Sequence, residues 1–260
     1  IALLILIFTS CEQDYLDVVP DNIATIDLAF NTRSTAENFL STCYSYIPEH
    51  AHVEQNFSLL AGDEVWYYAE NDFYMNNETS FRVAKGMQNS SSPYLNYWEG
   101  GRGAPHSLFN ALRDCNIFLE NLVEVPGLEE DERIRWLDEV RILKAFYHFW
   151  LMQMYGPIPI VDTNIPVSAP SSETNVYRDS IDEVVTYLTE LINQVIEADN
   201  LPGLINYVYT EQGRITMPIA KALKAKILNY IYGFNRFCDF QCGRIPSHRI
   251  RNFLYRNIWL

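Results

Sequence analysis

The chain of 260 residues carries 33 Asp and Glu against 19 Lys and Arg, a formal net charge of −14, and a field of that sign excludes nucleic acid as a partner. With 48% hydrophobic and only 20% charged residues it lies outside the range of disordered chains and can bury a core. The 17 Tyr, 14 Phe and 5 Trp, many set beside Asn, Asp and Gly, suit a surface that stacks on flat ligands.

The N-terminus opens on the apolar run Ile1-Ala-Leu-Leu-Ile-Leu-Ile-Phe8, followed by Thr9-Ser10-Cys11, the order found at the end of a secretory signal. These eight residues rise about 12 Å as a helix, far short of a hydrocarbon core of roughly 30 Å, so a membrane span would need much further sequence upstream. Phe8-Thr9-Ser10-Cys11 resembles a bacterial lipobox, which makes Cys11 the acylated first residue of a mature lipoprotein and residues 1–10 its truncated signal. Glu12-Gln13-Asp14 resembles the surface-export signal of Bacteroidota lipoproteins. The competing reading of Cys11 is an ordinary buried thiol. The other cysteines, 43, 115, 238 and 242, form no CxxC pair, so no disulfide framework or zinc ribbon is legible.

Ser34-Thr35-Ala36-Glu37 predicts a capping box, and Ala36, Phe39, Leu40, Cys43, Tyr44 and Ile47 predict a helix closed by Pro48, with Cys43 on its core face. From Leu59 to Trp98 neither helical nor strand period is sustained, which predicts a long loop-rich excursion of the kind that carries function. Leu108, Leu112, Cys115, Leu119 and Leu122 predict a second helix ending near Pro126-Gly127, again with its cysteine in the core. The acids Glu129 to Glu132 precede a predicted helix from Ile134 to Tyr155, stopped by Gly156-Pro157, whose second half is apolar nearly all round and hence buried between neighbours. Ser180-Ile-Asp-Glu183 is a further capping box, opening the stripe Ile181, Val184, Val185, Leu188, Leu191, Ile192 and Val195. Pro218 in a first turn opens a fourth long helix, where Ala220, Ala222 and Ala225 permit close packing. The expected class is all-α, built from antiparallel helix pairs as in helical-repeat proteins. Residues 231–260 hold five Arg and one acid, Asp239, a charge of +4, so the first 230 residues carry −18.

Four stretches resemble the SusD/RagB family of outer-membrane nutrient-binding lipoproteins. The longest is Glu139-Val-Arg-Ile-Leu-Lys-Ala-Phe-Tyr-His-Phe-Trp-Leu-Met-Gln-Met-Tyr-Gly-Pro-Ile-Pro-Ile-Val161, similar to that family's aromatic helix and its Tyr-Gly-x-x-Pro turn. Asn116-Ile-Phe-Leu119 precedes it; Arg178-Asp-Ser-Ile-Asp-Glu-Val, with Ala198-Asp-Asn-Leu-Pro202, and Gly213-Arg214-Ile-Thr through Leu228 follow it in family order. The resemblance implies a right-handed αα superhelix of tetratricopeptide-like pairs with long loop insertions. It also implies an outer-membrane, surface-exposed, lipid-anchored protein that binds an oligosaccharide or another polymer-derived nutrient. A SusC-like TonB-dependent porin would receive the nutrient, and neither cofactor nor catalysis is implied. Members are about twice this length, and the pattern departs near Asn229. The expected organisation is therefore a SusD-like N-terminal helical domain over 11–228 and an aberrant, out-of-frame tail over 229–260.

Sugar recognition sets aromatic faces against the C–H side of the ring and polar side chains against its hydroxyls. The stretch from Asp63 to Trp98 and the nearby Arg102 supply both kinds of group. Trp66, Tyr74, Trp98 and Arg102 are the expected glycan contacts, with Asp72 and Asn77 as hydroxyl partners. Tyr147, His148 and Trp150 read as core, because their helix is apolar all round. Glu49-His50-Ala-His52-Val-Glu54 and Cys238, Cys242 and His248 are incomplete metal sets, and Gly100-Gly-Arg-Gly103 reads as a turn. Glycoside hydrolysis needs two carboxylates flanking the bond, whereas Asp63 and Glu64 are adjacent. A protein-binding helical scaffold and, more remotely, a glycoside hydrolase stand as alternatives.

Overall fold

The computed structural model describes residues 26–49, 79–101, 104, 106–166 and 168–242. Nine α-helices lie among them: α1 (Ile26–Ala29), α2 (Arg33–Ser45), α3 (Thr79–Ala84), α4 (Leu108–Asn121), α5 (Glu130–Tyr155), α6 (Ser171–Thr174), α7 (Ile181–Ala198), α8 (Val208–Glu211) and α9 (Met217–Cys242). The described residues hold no β-strand. Two isolated bridges, Gly101 with Ala104 and Ile158 with Asp179, are their β-type pairing. The fold is all-α, as expected.

The long helices stack in chain order, α2 on α4, α4 on α5, α5 on α7 and α7 on α9. The α7 stripe packs Val184, Val185, Leu188, Leu191, Ile192 and Val195 into the core. Along the α5 seam, His148 meets Tyr187 while Asp138 meets Asn200, so the two run antiparallel in the tetratricopeptide-like manner. At the centre lies α5, with Trp136, Val140, Tyr147, His148 and Phe149 fully buried and Trp150 nearly so. Tyr147, His148 and Trp150 are core, as the all-round apolar setting of their helix predicts. Cys43 and Cys115 are fully buried too.

Boundaries moved where side-chain chemistry overrode the pattern. The capping box of α2 lies two residues earlier than Ser34-Thr35-Ala36-Glu37 suggests. Thr32 has extended backbone (φ −141°, ψ 157°) and exchanges hydrogen bonds with Thr35, each backbone N–H reaching the other's Oγ1 at 3.2 Å. Thr35 thus fills the place usually taken by Glu. The helix ends at Ser45, so Ile47 falls outside its stripe and is 40% exposed. Helix α5 begins at Glu130 rather than Ile134, its acids forming the first turn, where they face the positive end of the helix dipole. Helix α9 passes residue 229 without interruption and continues to Cys242.

Candidate functional site

Trp98 stands where four segments converge. Its ring meets the edge of Phe109 of α4 at 4.8 Å between centroids and 73°, and Tyr155 of α5 at 5.3 Å and 81°. The Arg178 guanidinium lies over its face, 4.8 Å from the ring centroid. Such a cation–π contact contributes about 0.5–1 kcal/mol at an exposed site. Trp98 is half-buried, Arg178 is exposed, and the adjoining Tyr177 is 86% exposed.

The backbone around Trp98 is held from several sides. The Tyr155 hydroxyl accepts from the Trp98 N–H at 3.2 Å and lies 3.4 Å from the Leu95 carbonyl, to which it donates. Burial pushes the Tyr155 phenol up and the Tyr97 phenol to about 12, so both stay protonated in neutral solution. Tyr97 packs its ring edge on Trp150 at 5.7 Å. Upstream, the Gln88 amide clamps Tyr94, donating to its carbonyl at 2.8 Å and accepting from its N–H at 2.7 Å. Downstream, the Ser107 hydroxyl donates to the Trp98 carbonyl and accepts from the Phe109 N–H, capping α4. Gly100 sits at φ +84°, and a Cβ there would meet the Ser107 nitrogen at 3.0 Å, so the close passage of the two backbones requires glycine. The predicted turn is thereby present at Gly100-Gly101, with Gly101 bridged to Ala104.

Arg178 is placed by the turn that ends α5. Gly156 closes the helix at φ +73°, a conformation L side chains rarely adopt. Beyond it the chain pairs with residues 178–179: Asp179 N–H donates to the Ile158 carbonyl at 3.0 Å, and Ile160 N–H to the Asp179 carboxylate at 2.7 Å. Arg178 Nη1 reaches the Pro157 carbonyl at 3.4 Å. The same turn therefore supplies Tyr155 beneath Trp98 and the rail that carries Arg178 over it.

Two charged networks brace the helices behind this surface. Glu139 is fully buried on α5; Arg214 donates to its Oε2 at 2.9 and 3.0 Å, Tyr44 of α2 at 2.7 Å, and Arg135 to its Oε1 at 3.0 Å. Burial nevertheless outweighs those cations and raises the Glu139 carboxyl above its ordinary range. In the second network Lys144, itself buried, donates to the Asp162 carbonyl at 2.6 Å and carboxylate at 3.2 Å. His148 bridges the Lys144 carbonyl (2.8 Å) and the Val161 N–H (3.0 Å). Together these hold the extended segment after the turn against α5.

Of the glycan contacts expected from sequence, Trp98 lies in the described region; Trp66, Asp72, Tyr74, Asn77 and Arg102 lie outside the described residues, as do Cys11, His50, His52, Glu54, Asp63, Glu64 and His248, and the side chains of Cys238 and Cys242. Sequence reasoning missed Arg178 and Tyr155 as neighbours of Trp98. Both stood in the motifs that carry the resemblance, yet nothing in the spacing links positions 98 and 178. Among the described residues no group of three or more His, Cys, Asp or Glu is placed to hold a metal ion, and no helix is long and apolar enough to cross a membrane.

The chain belongs to the SusD-like family: residues 14–202 match the family described as starch-binding and associating with the outer membrane. Among solved structures it is similar to a SusD-like protein from Bacteroides fragilis NCTC 9343, at 22% identity over 82% of this chain and 38% of that one, with a TM-score of 0.62. A laminarin-binding SusD-like protein matches at 22% identity and TM-score 0.59, covering 77% of this chain and 41% of that one. Surface glycan-binding protein A from Bacteroides uniformis matches at 20% identity and TM-score 0.59, covering 84% and 47%. The chain thus spans less than half the length of each of these structures. No curated protein sequence matches it.

Proposed function

We propose that this chain is part of a cell-surface lipoprotein that captures an oligosaccharide or polysaccharide fragment and passes it to a SusC-like TonB-dependent porin. The observation that carries the reading is membership of the SusD-like family across residues 14–202. The Trp98 cluster supports it. An indole packed against Phe109 and Tyr155, with the exposed Arg178 guanidinium over its face, sets aromatic surface and hydroxyl-directed donors together. Trp66, Asp72, Tyr74, Asn77 and Arg102 complete the proposed contact set, and Cys11 carries the lipid that holds the protein to the outer membrane. Stable anchoring needs more than one acyl chain, which the triple acylation of a lipoprotein provides. No catalytic step is assigned.

Residues 11–228 form the SusD-like domain in this proposal, and 229–260 a tail read out of frame; family-like sequence in another frame from codon 229 would support that, and its absence from both would refute it. The binding test is electrophoresis through gels containing a panel of polysaccharides, laminarin and starch among them. Retardation on at least one glycan, reduced at least tenfold in Trp98→Ala, supports the reading. No retardation on any glycan, with co-purification of a helical or globular protein partner, favours the scaffold reading. Loss of membrane association in Cys11→Ala tests the anchor.

A further inference from the structure

Helices α2 and α4 run antiparallel in a register fixed at both ends. At one end Phe39 stacks on Phe118, with 6.3 Å between ring centroids and 23° between planes. At the other, the Tyr46 hydroxyl donates to the Asp114 carboxylate at 2.6 Å, and its ring meets His106 at 5.5 Å. Cys43 lies one turn from both Phe39 and Tyr46, and Cys115 lies between Asp114 and Phe118, so this register brings the two sulfurs together across the seam. Both are fully buried free thiols on facing helices, and Cys43 is near enough to act on the Cys115 thiol. Tyr147 closes the site from α5, its hydroxyl donating to the Cys43 carbonyl.

We propose that Cys43 and Cys115 are the two halves of a disulfide that staples α2 to α4 and closes while the chain folds. The chemistry is thiol–disulfide exchange. One thiolate attacks a small-molecule or protein disulfide of the exported compartment and expels a thiol; the second then attacks the mixed disulfide and expels the other. Two cysteine thiols and one external disulfide become one internal disulfide and two external thiols, two electrons and two protons passing to the oxidant. Once the seam has packed, no oxidant reaches either sulfur, and burial with the neighbouring Cys43 pushes the Cys115 thiol up, away from the reactive thiolate. Oxidation therefore belongs to the period before α2 and α4 close. The resulting loop contains the whole aromatic stretch from Asp63 to Trp98, so the bond would tie the two roots of the proposed binding region to each other.

The oxidant's supply in the cell rests on the export proposed above, whereas the pairing of the sulfurs does not, so the test supplies the oxidant directly. The full chain is refolded from denaturant in a buffer of oxidised and reduced glutathione, alkylated in denaturant, digested without reductant and mapped by mass spectrometry. The expected result is a covalently joined pair of peptides bearing Cys43 and Cys115, and a melting temperature that falls by roughly 10 °C on reduction. Recovery of both cysteines alkylated, or each joined to glutathione or to Cys11, Cys238 or Cys242, would overturn the pairing. A second sample is folded under reductant and only then given the oxidant. Cys43 and Cys115 should stay reduced at least tenfold longer than in the refolding chain, and equal rates would overturn closure during folding. Glycan retardation is measured separately, so its failure does not bear on the sulfur pairing.

Discussion

Acidification should unlock the segment after α5 through a single imidazole. His148 is fully buried, and its two ring nitrogens face groups of opposite character: Nδ1 faces the Lys144 carbonyl at 2.8 Å, and Nε2 accepts from the Val161 N–H at 3.0 Å. That pairing assigns the neutral tautomer with its proton on Nδ1. A second proton on Nε2 would oppose the Val161 N–H, donor to donor. Burial first, and the nearby Lys144 ammonium as well, press the imidazole from 6.5 down to about 4. A depressed pKa contributes stability that is present above the unfolded value and is lost as pH falls through the folded one. Linkage over that interval gives a loss of about 2 kcal/mol at pH 5 and about 3 kcal/mol at pH 4. The check is urea unfolding of the parent and His148→Gln between pH 7.5 and 4. Glutamine keeps an acceptor for Val161 and takes up no proton. Carboxylates titrate in both proteins, so the difference between the two curves isolates His148. The gap in stability should shrink by about 3 kcal/mol from pH 7.5 to 4. Parallel curves would refute the assignment.

Other perturbations test the bracing and the loop. Arg214→Met takes one of two cations from the buried Glu139 carboxylate and should cost about 3 kcal/mol in urea unfolding, with part of the loss restored by adding Glu139→Gln; a cost below about 1 kcal/mol would show that Arg135 and Tyr44 suffice. Gly100→Ala combines positive φ with a Cβ 3.0 Å from the Ser107 nitrogen, whereas Gly127→Ala at φ +73° meets nothing within 4 Å. The first should cost about 2–3 kcal/mol and the second about 1 kcal/mol; equal losses would mean the loop shifts freely. Arg178→Ala should weaken glycan retardation without lowering the melting temperature by more than about 2 °C, since the residue is exposed and its removal leaves Trp98 seated on Phe109 and Tyr155.

The helices were legible because burial on one face imposes a period, and α7, with its Ser180–Glu183 box, shows the case where local and tertiary demands coincide. The start of α2 was misplaced because three hydroxylated residues, Thr32, Ser34 and Thr35, compete for the cap. The reciprocal bonds between Thr32 and Thr35 are the pair that forms, which places Arg33 inside the helix. The burial of Glu139 and Lys144 was not legible. A charged residue inside an apolar run reads as an exposed position until the partner that neutralises it is known. Here the partners stand far off in the chain, Arg214 for the one and the Asp162 segment for the other. Trp98 was picked out by composition, but its setting depends on Tyr155 and Arg178, which only the folded chain brings near.

The residues that carry the family resemblance divide by what they touch. Glu139, Lys144 and His148 are buried and Arg214 is partly so; they tie α5 to α2, to the segment before α9 and to the extended segment after the turn, so they report how these parts are spaced. Tyr155 and Arg178 belong to the same motifs but border Trp98. The braces could therefore stay unchanged while the ligand changes, because in the proposed reading a sugar's hydroxyls meet side chains around Trp98 rather than the braces behind it. The rigid base still matters to binding. With the Trp98 N–H held by Tyr155 and its carbonyl by Ser107, little conformational freedom remains in its backbone, so binding at the proposed site would cost little further ordering there.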